Sequence, residues 1–321
     1  MVIQKQIMKL GGNKVSLQSK DILGLEEMSR SDIELILDRA KSMKELVLSP
    51  VKKAPTLRGK VVINLFYEPS TRTRSSFELA GKYLSADVIN IATSTSSVVK
   101  GESLLDTAQT VRMMGCDILV IRHGSSGAPG FLAKHLTCSV INAGDGMHEH
   151  PTQGLLDLFT MLSKFESIEG KKVVILGDVA HSRVARSNIW ALRKFGAKVT
   201  VCGPKTLLPI EIRSLGVEAT SDTDAAVADA DIINVLRLQL ERQKKGLFPS
   251  IREYHENWGL DRKRVQLANP EVLVLHPGPM NRGVEIASDV ADSKLSSINE
   301  QVTNGVAIRM ALLELLTGGA S

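Results

Sequence analysis

The strongest constraint on the fold is an alternation of compact apolar runs with helical stretches. Helices packed on the faces of a parallel sheet satisfy that order. In the first half, Lys60–Tyr67 (KVVINLFY), Asp87–Ile91, Ile118–Ile121 and Ser139–Asn142 read as strands. Helices are expected between them over Thr73–Leu84, Glu102–Met114 and Phe131–Leu136. A further helix, Asp32–Leu46, precedes them: Ser29 suits its N-cap, and Ile33, Leu35, Ile36, Ala40 and Met43 follow helical spacing. A long helix, Thr152–Lys164, leads into a second alternation. Its strands are Lys172–Leu176, Lys198–Cys202, Ile232–Leu236 and Val272–Leu275, with a helix over Ser182–Phe195. Gln301–Thr317 reads as a last helix. The expected fold is α/β: two domains, each a parallel β-sheet flanked by helices, joined by a long interdomain helix. The 321 residues suit two domains of ordinary size, with a boundary near residue 150.

Composition narrows the partners. Hydrophobic residues make up 43% and aromatics only 4%, so the core rests on aliphatic side chains, as buried parallel strands require. The net charge of +5 carries no long Lys/Arg run with interleaved aromatics, which favours capture of small anions over nucleic acid. Cys116, Cys138 and Cys202 form neither a CxxC pair nor a zinc set and read as free thiols in a reducing, cytoplasmic compartment. No apolar run reaches membrane-spanning length. The first twenty residues hold four lysines, no acid and no arginine; a loosely ordered extension is expected there rather than a targeting peptide.

Ser70-Thr71-Arg72-Thr73-Arg74 follows a core strand and opens a helix, where open α/β sheets bind ligands. Unpaired N–H groups at a helix start favour an anion, and guanidiniums grip phosphate through paired hydrogen bonds. A plain capped helix start would not interleave three hydroxyls with two arginines. Neither GxxxxGK[ST] nor GxGxxG occurs, so nucleotide and nicotinamide readings lack support. Ser96 and Lys100 lie in a polar connection, Thr93–Gly101; taken alone, Lys100 is a solvated loop lysine. Arg122 ends a strand at the edge that carries the anion turn. His150 and Gln153, at i and i+3 around Pro151, can point at one ligand. His148 and His150 with one carboxylate make no convincing zinc set. Arg183, Arg237, Gln239 and Pro277-Gly278-Pro279 each follow a strand of the second half. Two arginines there suit a dicarboxylate, although each alone reads as a surface residue.

Seven segments together resemble the catalytic chains of the aspartate/ornithine carbamoyltransferase family: FYEPSTRTRSSFELA, KGESLLDTAQTV, VIRH, NAGDGMHEHPTQGLLDLFT, ILGDVAHSRVARS, VLRLQ and HPGPMNRGVEI. The resemblance runs from about Asp21 to the C-terminus and is to the aspartate branch. Ornithine enzymes resemble one another in an HCLP segment and an acidic-Ser-Met-Gly stretch. Here His276-Pro277-Gly278-Pro279 and Arg237-Leu238-Gln239 stand in those places, and a cationic Arg237 suits a side-chain carboxylate. The chain departs from the common bacterial pattern at Gly278, where Leu is frequent, and in Ser97-Val98-Val99 before Lys100.

The resemblance implies carbamoyl transfer from carbamoyl phosphate to the amine of L-aspartate, an early step of pyrimidine synthesis, with no cofactor and no metal. It implies that Ser70, Thr71, Arg72 and Thr73 hold the phosphate. Thr73, Arg122 and His150 would meet the carbonyl oxygen, and Gln153, Gly278 and Pro279 the carbamoyl nitrogen. Arg183, Arg237 and Gln239 would bind aspartate, and Lys100 both substrates. Ser96 and Lys100 would come from a neighbouring subunit of a homotrimer. The catalytic set is then Arg72, Thr73, Lys100, Arg122 and His150. Residues 1–150, completed by a C-terminal helix at about 298–321, would bind carbamoyl phosphate, and 151–297 aspartate. Regulatory chains or a dihydroorotase are partners the sequence leaves open; nucleic acid and membrane are not expected.

Overall fold

The computed structural model describes residues 16–92, 102–239, 247, 248 and 250–318. The N-terminal extension before residue 16 and the connection holding Ser96 and Lys100 lie outside the described residues.

Helix α1, Arg30–Leu48, is capped as its sequence predicts: the Ser29 side chain accepts the Asp32 amide. Strands β1 (Val61–Phe66), β2 (Asp87–Ala92), β3 (Ile118–His123) and β4 (Ser139–Asp145) form a parallel sheet in the order β2-β1-β3-β4. Helices α2 (Thr71–Tyr83), α3 (Leu104–Met113) and α4 (Ala128–His135) make the crossovers. The long helix α5, Pro151–Lys164, leads to the second sheet. That sheet comprises β5 (Lys172–Leu176), β6 (Lys198–Cys202), β7 (Glu218–Thr220), β8 (Ile232–Val235) and β9 (Leu273–Leu275), in the order β7-β6-β5-β8-β9. All its pairings are parallel. Helices α6 (Arg183–Lys194), α7 (Thr223–Val227), α8 (Ile251–Trp258), α9 (Arg262–Val265) and α10 (Ser288–Ala291) accompany it, and α11 (Ile298–Leu316) closes the fold. The expected α/β architecture of two parallel sheets flanked by helices is present. No described helix is long and apolar enough to cross a membrane.

Several boundaries differ from the expected ones. Helix α2 begins at Thr71, two residues before the expected start, because Ser70 takes the N-cap position. Helix α4 begins at Ala128, with Pro129 in its first turn, three residues earlier than periodicity places it. Helix α11 begins at Ile298 rather than Gln301. Strand β7 and helices α7, α8, α9 and α10 are additional. They are three to eight residues long, too short for a periodic pattern to declare them.

Helix α5 is buried all round from Pro151 to Met161, as befits a helix clasped by elements of both halves. Helix α11 packs against α1, α2 and α5. One apolar cluster runs through the molecule, joining Ile36, Ile141, Leu155, Phe159, Ile175, Ile189 and Leu312.

Within α5, the fully buried Asp157 carboxylate accepts four side-chain amides. Gln153 Nε2 (2.9 Å) and Gln301 Nε2 (2.6 Å) reach Oδ1, while Asn188 Nδ2 (2.8 Å) and Asn234 Nδ2 (3.2 Å) reach Oδ2. Burial pushes this carboxyl above the usual range, and the amides oppose the shift. Replacing Asp157 by Ala strands four buried donors. The expected loss is about 3 kcal/mol or more of unfolding free energy, read as a lower urea midpoint at unchanged m-value.

Candidate active site

Each sheet reverses its strand order once among the described strands, between β1 and β3 and between β5 and β8. Ligands bind beyond the carboxyl ends of strands at such points. The candidate residues gather there.

Beyond β1, Ser70 caps α2 by position, but its side chain makes no capping hydrogen bond, and the first turn holds no acid. Hydroxyls and amide N–H groups are therefore left to a ligand, and the helix dipole is not neutralised. Thr73 is buried, while Thr71 and Arg72 are exposed. Strand β3 pairs Arg122 with Phe66, which brings Arg122 beside the turn. Its Nη1 donates to Ala143 O (3.2 Å), and its Nε lies 3.3 Å from Glu68 Oε2.

Beyond β4, Asn142 Oδ1 accepts the Gly144 amide at 2.8 Å, shaping the bend toward α5. Gly144 has φ +115°, and a Cβ there would lie 2.9 Å from the Arg183 guanidinium. His150 occupies the N-cap of α5 with Pro151 after it. The His150 amide donates to Ser187 Oγ at 2.9 Å, and its buried Nδ1 has no hydrogen-bond partner among the described residues. Burial and then the charges of Arg122, Arg183 and Arg309 hold the imidazole well below its ordinary pKa. Gln153 spends its amide nitrogen on Asp157, so its oxygen is the atom left for a ligand.

The neighbouring His148 and Glu149 have structural duties. His148 Nδ1 contacts Asp145, at 3.2 Å and 3.1 Å from its two oxygens. Glu149 accepts the Leu25 and Glu26 amides and the Ser187 hydroxyl. Glu26, His148 and Glu149 bring ligand atoms within 4.8 Å of one another, but Glu149 is already occupied by these donors.

From the second sheet, Arg183 is the first residue of α6, and its Nη2 donates to Glu68 Oε2 at 2.7 Å. Arg237 and Gln239 follow β8, and Arg237 is close enough for its charge to add to the lowering of the Arg72 pKa, after desolvation. Gly278 follows β9 with φ +62°, and a Cβ there would lie 2.9 Å from Arg72 Nη1. Any side chain at this position would therefore need this contact to shift. The Gly278 amide donates to His276 Nδ1 (2.8 Å), which leaves Nε2 as the donor to Glu285 Oε1 (3.1 Å). Asn281 donates from its amide to Glu285 (2.7 Å) and from its side chain to Leu238 O (3.0 Å), tying this loop to the Arg237 segment.

Arg122, Arg183 and His150 are thus brought together, as are Arg72, Arg237 and Gly278, while Thr73 lies beside Arg72 in the turn and Gln153 follows His150 on α5. Ser70 and Thr71 belong to the same turn, Gln239 and Pro279 to segments that reach it, and Ser96 and Lys100 fall outside the described residues. Sequence reasoning gave no role to Glu68, the carboxylate shared by Arg122 and Arg183. Its position directly before the anion turn was the available signal.

Fold and site together define an α/β protein in which arginines from both halves, Arg122 and Arg183, share the Glu68 carboxylate beside the carboxyl ends of the strands. The aspartate/ornithine carbamoyltransferase carbamoyl-P binding domain matches residues 20–163, and the Asp/Orn binding domain matches 169–316. The chain belongs to this carbamoyltransferase family. It is 61% identical over 303 residues to the aspartate carbamoyltransferase catalytic subunit of Heliobacterium modesticaldum, covering 94% of this chain and 97% of that one. The ornithine carbamoyltransferase of Pyrococcus furiosus superposes with a TM-score of 0.84 at 31% identity, covering 96% and 100%. Aspartate transcarbamoylase of Trypanosoma cruzi, in complex with carbamoyl aspartate and phosphate, gives 0.84 at 30% identity, covering 95% and 98%.

The His150 environment has a measurable consequence. An imidazole that resists protonation when folded adds stability above the unfolded pKa, near 6.5, and loses it as pH falls toward the folded value. His150→Asn should remove this dependence. The wild-type-minus-variant difference in unfolding free energy should fall between pH 7 and pH 5, with a slope of at most about 1.4 kcal/mol per pH unit. A difference that is flat with pH would contradict the neutral-His150 assignment.

Proposed function

We propose that this chain is the catalytic subunit of an aspartate carbamoyltransferase. It transfers the carbamoyl group of carbamoyl phosphate to the amine of L-aspartate, giving N-carbamoyl-L-aspartate and phosphate for pyrimidine synthesis. The observation that carries the aspartate reading is the approach of Arg237, from the second sheet, to Arg72 of the anion turn. A cation at that place attracts the side-chain carboxylate of aspartate and repels the ammonium of ornithine.

The chemistry is a direct displacement without a covalent enzyme intermediate. The aspartate amine forms a C–N bond to the carbonyl carbon, and the C–O bond to phosphate breaks. Charge building on the carbonyl oxygen meets Arg122, Thr73 and the remaining N–H of a neutral His150. Ser70 to Thr73 hold the leaving phosphate at the α2 N-terminus. Gln153, whose oxygen is left for the ligand, accepts from the carbamoyl NH₂. Gly278 and Pro279 offer backbone carbonyls beside it. The amine proton goes to the departing phosphate. Much of the acceleration then comes from holding two anions in line.

In this reading the first domain, 1–150 with the α11 segment, binds carbamoyl phosphate and 151–297 binds aspartate. The packing of α11 on α1 and α2 supports that division. Ser96 and Lys100 complete each site from the neighbouring subunit of a homotrimer in the cytoplasm.

Aspartate and ornithine compete directly in one assay with carbamoyl phosphate. Aspartate should be carbamoylated, with Arg237→Ala raising its KM roughly 10–100-fold. Preference for ornithine would overturn the reading, and absence of turnover with either would favour a catalytically inert assembly partner of the same fold. Subunit sharing has its own test. Mixing inactive Lys100→Ala and Arg72→Ala chains after dissociation should restore part of the activity, and no recovery would contradict a shared site.

A further inference from the structure

The first sheet carries a second chemical feature at the edge away from the anion turn. Cys116 lies in the turn that enters β3 and Cys138 in the turn that enters β4. These strands pair with Ile118 against Ser139, so the two cysteines stand side by side at the amino-terminal edge. Cys116 belongs to an apolar cluster with Leu119, Leu132, Leu136 and Val140, and Cys138 packs against it. Cys116 is buried, whereas Cys138 is partly exposed.

Two cations flank Cys138. Lys20 Nζ donates to Cys138 O at 3.4 Å and to Leu136 O at 3.3 Å. Arg112 Nε donates to the adjoining Thr137 Oγ1 at 2.9 Å. The neighbouring Cys116 thiol, with help from Lys20 and Arg112, holds the Cys138 thiol down to about 7, while the Cys138 thiol and burial push Cys116 up. Cys202 offers an internal contrast. It is buried in the second sheet, 3.7 Å from Thr223 Oγ1, and burial pushes its thiol up to about 11.

We propose that Cys116 and Cys138 form a redox-active dithiol, a modification site at which a hydroperoxide drives an intramolecular disulfide. An exposed thiolate beside cations is the attacking group, and an adjacent thiol resolves it. The Cys138 thiolate attacks the peroxide: an S–O bond forms, the O–O bond breaks, and hydroxide leaves to take up a proton. The Cys116 sulfur then attacks the Cys138 sulfur. The S–S bond forms, the S–O bond breaks, and the Cys116 proton leaves with the hydroxyl as water. The two thiols lose two electrons and two protons, and hydrogen peroxide becomes two waters. The site is independent of the carbamoyl-transfer reading and lies at the opposite edge of the sheet.

The test uses the reduced full-length protein, treated with hydrogen peroxide, alkylated under denaturing conditions and mapped by mass spectrometry. Titratable thiols should fall from the three of the sequence to one, Cys202, with a Cys116–Cys138 linked peptide that a reductant reverses. In Cys116→Ser, Cys138 should persist as a sulfenic acid that dimedone traps. In Cys138→Ser, oxidation of Cys116 should slow by at least roughly tenfold. Should a variant fail to fold, the wild type still decides. Maleimide at neutral pH should label Cys138 first, and that label should block the disulfide. Three free thiols after peroxide, a link between chains, or oxidation of Cys202 as fast as Cys138 would overturn the proposal.

Discussion

The buried carboxylate of Asp157 is the interaction on which the rest of the arrangement depends. A desolvated charge requires donors on every open side, and here the donors come from elements that carry candidate ligands or hold the segments that do. Gln153 is itself a candidate ligand one turn earlier on α5. Asn188 holds α6, whose first residue is Arg183. Asn234 holds β8, which leads to Arg237. Gln301 reaches from α11 and with its oxygen accepts the His276 amide, which fixes the approach to Gly278. One acceptor therefore registers pieces of both halves against one another.

The second constraint is like charge. Arg72, Arg122, Arg183 and Arg237 converge on a region where Glu68 is the carboxylate that pairs with two of them. Holding guanidiniums together in a partly buried place is unfavourable until anions arrive. In the proposed function the same cost would make the site selective: ligands with two well-separated negative ends would relieve it, and a cationic amino acid would add to it. Glycines make the convergence sterically possible, since side chains at 144 and 278 would stand against Arg183 and Arg72. Burial first, and then the charges of Arg122 and Arg183 from this cluster, hold the His150 imidazole below its ordinary pKa.

Much of this was legible in the sequence. The two parallel sheets followed from apolar runs at β1, β3, β5 and β8, whose burial on both faces leaves a continuous pattern. Ser29 and Pro151 announced helix starts because capping and the first-turn position of proline are local effects. The second sheet's short elements were not legible, since β7 and α7 are too brief to show a period. Nor was the Asp157 network, because Asn188, Asn234 and Gln301 are far apart in the chain and each is an ordinary polar residue until folded. Glu68 was hidden for the same reason, its role being set by Arg122 on β3 and Arg183 on α6.

The central claim is that one crevice holds a phosphate-like group at Ser70 to Thr73 and an aspartate-like group at Arg183 and Arg237. Calorimetry with N-(phosphonacetyl)-L-aspartic acid, a compound that carries both groups and is found in a Trypanosoma cruzi relative's structure, tests it most directly. The account predicts one molecule bound per chain, with affinity lowered at least roughly tenfold by Arg72→Ala and by Arg237→Ala separately. Absence of binding, or binding that neither substitution weakens, would contradict it.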